Sequence, residues 1–117
     1  MNPDHVIIDL ILNMPGTYTK TKIKSLLTRR RKRYAFSNKL SHLTNAQKGY
    51  VKRICNTLHE YIDKNCKRNI IIERQAECFV FTHYTLESKK TVVFFHLLKD
   101  LELDTQDFNE LRSLQCS

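Results

Sequence analysis

The chain is poor in the residues that punctuate a fold: its 117 residues include 2 Gly, 2 Pro and no Trp. So few turn formers exclude a turn-rich β-sandwich, and they also exclude the Pro- and Gly-rich composition of disordered chains. No run approaches the ~18 apolar residues of a membrane-spanning helix, so no membrane partner is expected. Met1 is not followed by a basic patch, a hydrophobic stretch and a small-residue cleavage site. Secretion is therefore not expected, and the anticipated location is intracellular, nuclear if the source is eukaryotic. The cysteines are Cys55, Cys66, Cys78 and Cys116. No pair has a tight spacing, so free thiols are the default. A chain of this length buries roughly two-thirds of its unfolded surface, enough for one domain without disulfide, metal or cofactor.

A further absence carries more information. Between Tyr18 and Arg53 the chain has no carboxylate, yet it has twelve basic residues: Lys20, Lys22, Lys24, Arg29, Arg30, Arg31, Lys32, Arg33, Lys39, Lys48, Lys52 and Arg53. The net charge is +8. From Lys99 to Ser117 the sign reverses, with Asp100, Glu102, Asp104, Asp107 and Glu110 against Lys99 and Arg112. A surface built only for solubility mixes both signs, so this segregation favours an anionic partner, nucleic acid before an acidic protein or membrane surface, and both before a merely solvated basic face.

The apolar spacing gives the elements. Asn2-Pro3-Asp4 has the cap, first-turn proline and acid of a helix start, and the run to Met14 is apolar on most sides. Pro15-Gly16 stops that helix, and Thr17-Tyr18-Thr19 suits a turn or a tiny strand. Ile23, Leu26 and Leu27 mark a second helix from about Lys20. It runs into Arg29–Arg33, a self-repelling block expected to be a mobile loop, and residues 34–42 read as a loop anchored by Tyr34 and Phe36. Thr44 and Gln47 form a capping box, behind which Tyr50, Val51, Ile54, Leu58, Tyr61 and Ile62 repeat at helical spacing. The opposite stripe is Asn45, Lys48, Gly49, Lys52 and Asn56. The period then changes to two: residues 69–73 and 77–83 predict an antiparallel hairpin with Arg74-Gln75 at its turn. Residues 90–98 fit either state. Thr91–Phe95 has strand propensity, while Ser88 as cap and Val93, Phe94, Leu97, Leu98 and Leu101 as a stripe favour a helix, the preferred reading. Thr105 caps a last amphipathic helix with Phe108, Leu111 and Leu114 on one side.

Helix, short strand, helix, helix and hairpin is an order that resembles the winged-helix DNA-binding superfamily over roughly residues 3–84. Three stretches carry the resemblance: Leu12–Ile23, similar to the join of the first two helices; Gly49–Leu58, similar to a recognition helix; and 69–83, similar to the wing. About ten residues separate the second and third helices, where a tight turn is usual. The resemblance implies an α+β winged helix over residues 1–84, three helices plus a β-hairpin wing. Residues 85–117 form a C-terminal helical extension, packed on the domain or used to associate with a second copy or a protein partner; dimerisation is slightly preferred.

The implied function is non-catalytic binding of double-stranded DNA, in transcription or chromosome maintenance. The alternative is a winged-helix protein–protein module within a nuclear or viral complex; RNA binding is third, on the hairpin face that carries Phe79 and Phe81, a face better suited to the core. Residues 44–63 would enter the major groove, where Asn45 and Asn56 could read adenine edges and Lys48 and Lys52 guanine or phosphate. Lys20, Lys22, Lys24, Arg29, Arg30, Arg31, Lys32, Arg33, Lys39 and Arg53 would hold the backbone, and Arg74 at the hairpin tip could touch a phosphate. Cys55 and His59 stand at i, i+4 with Cys66, Cys78 and His83 further on, but no CxxC knuckle is present and zinc is not expected. Asp4, Glu87 and Lys89 are too scattered for a nuclease centre. No phosphate-binding glycine loop or nucleophile with a His and acid partner is present, so no enzyme is expected.

Overall fold

The computed structural model describes residues 13–36 and 44–115. Strand β1 (Gly16–Thr19) runs directly into helix α1 (Lys20–Arg31), which continues as one wider π-helical turn (Lys32–Phe36). Helix α2 (Asn45–Asn65), strands β2 (Asn69–Arg74), β3 (Cys78–Tyr84) and β4 (Lys90–His96) and helix α3 (Thr105–Gln115) follow. The fold is α+β: the described residues form three α-helices and one antiparallel sheet of order β1-β2-β3-β4. The helix expected over residues 3–14 and the candidate Lys39 lie outside the described residues, Asn13 and Met14 excepted.

Local chemistry sets the helix starts. Thr19 Oγ1 accepts from the Lys22 N–H at 3.1 Å. At α2, Thr44 Oγ1 accepts from the Gln47 N–H at 3.1 Å and Gln47 Oε1 accepts from the Thr44 N–H at 2.8 Å, the reciprocal pair the sequence predicted. Alternation sets the strands. Ile70 and Ile72, then Phe79, Phe81 and His83, then Phe95 turn inward, where they join Ile23, Leu27, Ile54, Leu58 and Ile62 in one core between helices and sheet. Tyr61 of α2 meets Phe95 and Phe81 edge-on, with centroids 5.1 and 6.3 Å apart. Such aromatic pairs are worth about 1 kcal/mol each beyond area burial.

The hairpin forms in the register Ile70↔His83 to Arg74↔Phe79. It is not an isolated ribbon, because β1 pairs with its first strand (Gly16↔Ile72 to Thr19↔Asn69) and β4 with its second.

Residues 90–96 are a strand, not the preferred helix. The run Val92-Val93-Phe94-Phe95 fits both periods, and pairing decides between them: β4 pairs with β3 from Tyr84↔Lys90 to Cys78↔His96. A helix there would leave the β3 edge open. Ser88 is no helix cap; at φ 65° it sits in the turn between these strands. The sheet thus continues across residue 84, and the segment after it is not all helical.

The arginine block is also not a loop. Arg29–Arg31 form the last turn of α1 and Lys32 and Arg33 open the π-helical turn. Cations at a helix C-terminus complement its dipole, which offsets their mutual repulsion.

At the chain's end, Phe108 and Leu111 of α3 are buried with Leu97, Leu101 and Leu103 in the same core. Of the two coverings expected for this stripe, the structure shows the chain's own core at these two residues.

Candidate nucleic-acid interface

Helix α1 distributes its cations over three places. At its N-terminal end, Lys24 Nζ lies 2.5 Å from Asp63 Oδ1 and Lys20 Nζ donates to the Asp63 carbonyl at 3.0 Å. The hydrogen bond from Lys24 holds the Asp63 carboxyl below its usual range. These two lysines are thus committed to α2. Near the other end, Arg31 Nη1 donates to Asn56 Oδ1, and Arg30 reaches the Asn13 carbonyl. Between these ties runs the third set. Ile23 and Leu27 face the core, so the opposite positions Lys22, Ser25, Arg29, Lys32 and Arg33 are exposed. They recur at three- and four-residue spacing, and at about 1.5 Å per residue they span about 16 Å.

At the end of this stripe, Leu26, Arg29, Arg30, Arg33 and Tyr34 line an open groove of about 420 Å³. The Arg33 guanidinium lies over the Tyr34 ring, 5.4 Å from its centroid. Guanidinium forks match phosphate oxygens two at a time, so the chemistry this groove offers is phosphate binding. Tyr34 was legible only as a loop anchor, because its place under Arg33 depends on the helical continuation.

The candidates on helix α2 differ in exposure and in partners. Asn45 is exposed, while Lys48 and Lys52 are half-buried. Asn56 is exposed, but its amide oxygen is taken by Arg31. Arg53 is drawn to the acidic segment: its Nε lies 3.0 Å from Glu102 Oε2 and its guanidinium 5.2 Å from the Tyr50 centroid. The Tyr50 hydroxyl donates to Asp104 Oδ2 at 3.1 Å. Two carboxylates therefore flank the N-terminal half of α2, which disfavours phosphate there. Gly49 has no steric need to be glycine, since a Cβ would meet Arg53 Nη1 at 3.6 Å.

Arg74 is the last residue of β2 and not part of the hairpin turn. It lies on the same face of β2 as the buried Ile70 and Ile72. Its Nε, Nη1 and Nη2 atoms are buried with no hydrogen-bond partner among the described residues. Its guanidinium is 5.9 Å from the Phe79 centroid, and burial lowers its pKa.

The cysteine and histidine positions are occupied by packing. Burial pushes the Cys55 and Cys66 thiols up to about 11. The Tyr61 hydroxyl lies 2.6 Å from His83 Nε2, and His83 Nδ1 3.1 Å from the Tyr84 carbonyl. The carbonyl can only accept, so Nδ1 carries the proton and Nε2 accepts from Tyr61. Among the described residues no group of three His, Cys, Asp or Glu is placed to hold a metal ion, and no helix is long and apolar enough to cross a membrane.

No protein family, curated protein or solved structure matches the chain.

Proposed function

We propose that the protein binds double-stranded DNA without catalysis, through the exposed stripe of α1 and its π-helical continuation. The carrying observation is the stripe Lys22, Arg29, Lys32 and Arg33. No carboxylate among the described residues pairs with it, while the nearby acids Asp63, Glu60 and Glu102 are paired with Lys24, Lys64 and Arg53. Phosphates spaced along a duplex backbone suit a cationic line about 16 Å long. Asn45 and Lys48 sit on the next helix, and α1 replaces α2 as the leading contact in this reading. The winged-helix resemblance belongs to the same proposal. It is supported by the order strand, helix, helix, hairpin, and β1 and β4 make the wing part of a larger sheet. Transcription or chromosome maintenance is the setting such binding would serve.

The test is a salt titration on random duplex DNA. With about 4–6 phosphates neutralised, log K against log salt should fall with a slope of about −4 to −5. No binding at low salt, or a slope near zero, overturns the reading in favour of a protein-binding module.

A further inference from the structure

The sheet's other face is turned away from the core that α1 and α2 build. Across the four strands, Thr17, Ile71, Thr82 and Val92 stand opposite one another in a row. Neighbouring rows place Phe94 beside Val80 and Lys90 beside Tyr84. Helices cover the inner face, where Phe79 and Phe81 are buried, yet on this outer face Tyr84 is 51% exposed and Phe94 and Val92 are each 49% exposed. An open trough of about 660 Å³ runs over one end of it. The charged residues lining that trough are Lys67, Arg68 and Lys90, all cations. Glu73 is outside it, two strands from Phe94.

We propose that this face binds single-stranded RNA, with bases stacked on Tyr84 and Phe94 and phosphates held by Lys67, Arg68 and Lys90. Cations alone select an anion; an exposed aromatic and aliphatic floor beside them selects an anion that carries flat rings. A single strand offers both, whereas a duplex keeps its base faces stacked inside. Tyr84 has two lysines as neighbours. Lys90 is its cross-strand partner, and the Lys67 N–H donates to the Tyr84 carbonyl at 2.9 Å while Lys67 Nζ donates to Ser88 Oγ at 2.6 Å. A base on Tyr84 would thus lie in the same trough as these cations. Tyr84 and Phe94 are separated by four residues along the strands, about 13 Å, which leaves room for an intervening nucleotide. Thr17, Thr82 and Asn69 line the trough beside Tyr84, and their hydroxyl and amide groups can partner a ribose 2′-hydroxyl, which favours RNA over DNA.

The experiment measures fluorescence anisotropy with labelled oligouridine, single-stranded DNA of matching sequence and random duplex DNA. Tyr84→Ala, Phe94→Ala and the charge-reversed pair Lys67→Glu with Lys90→Glu should each weaken RNA binding about tenfold or more and leave duplex binding unchanged. Both aromatics are half exposed, so the fold should survive. Phe94→Leu, which keeps the apolar bulk and removes the ring, gives the same loss if Phe94→Ala does not fold. Unchanged RNA affinity in these variants overturns the proposal, as does equal affinity for single-stranded DNA. If the face variants instead convert a dimer to a monomer by light scattering, the face belongs to a second copy and the RNA assignment is wrong.

Discussion

Arg74 places a buried guanidinium where no described residue accepts from it, 5.9 Å from the Phe79 ring centroid. An unpaired buried charge costs more than the packing of its stem returns. Arg74→Met keeps the stem and removes the charge, so stability should rise by about 1–3 kcal/mol, read from the urea midpoint. Duplex affinity should not change, because the side chain points into the fold. A lower midpoint would show that the guanidinium has a partner after all. The buried Cys55 thiol gives a second expectation, with a definite sign. Its folded pKa is pushed up to about 11 by burial, against the approach of Arg31 and Arg30, which lower it. A raised folded pKa contributes stability that is complete below the unfolded value. That stability is lost as pH rises through the folded one, so the window is pH 9 to about 11. A two-unit difference corresponds to about 3 kcal/mol. Cys55→Val should therefore flatten the fall in melting temperature across that window; identical alkaline profiles would contradict the assignment.

At the scale of elements, α1 carries the functional reading. Replacing Arg29, Lys32 and Arg33 together with Ser should weaken binding to all duplex sequences alike and flatten the salt slope by about 2–3, because three phosphate contacts are lost. Loss of preference for one sequence, with the non-specific affinity intact, would show that these residues read bases instead. The arrangement behind this prediction was only partly legible in the sequence. The capping box at Thr44 and Gln47, the α2 stripe and the β2–β3 hairpin could be read because each rests on local spacing. Two features could not. Lys90–His96 satisfies helix and strand periods equally, and only the long-range pairing with β3 separates them. Arg29–Arg33 repels itself when considered alone, and its helical state depends on the helix dipole and on partners distant in sequence, Asn13 and Asn56. The outer sheet face was hidden for the same reason, since Phe94 joins Tyr84 only once β4 pairs with β3.

Over the whole molecule, the acidic end is not held apart from the basic region. Glu102 meets Arg53 and Asp104 meets Tyr50, so the segment before α3 screens one side of α2, whereas no carboxylate among the described residues pairs with the exposed stripe of α1. Helix α3 follows this segment and seals the core with Phe108 at 7% and Leu111 at 0% exposure. Spacing alone predicts an apolar stripe that something must cover, with association with a second copy as the favoured covering. With Phe108 and Leu111 covered by Leu97, Leu101 and Leu103 of the same chain, these two side chains are not available to a partner. Substitution there should act on folding. Leu111→Ser both empties a packed position and buries a hydroxyl, so stability should fall by about 2–5 kcal/mol, measured by urea denaturation. The mass of the folded fraction by light scattering should equal that of the unsubstituted protein. A variant of undiminished stability whose mass halves would show that Leu111 serves an interface between copies, and that the intramolecular seal does not form in solution.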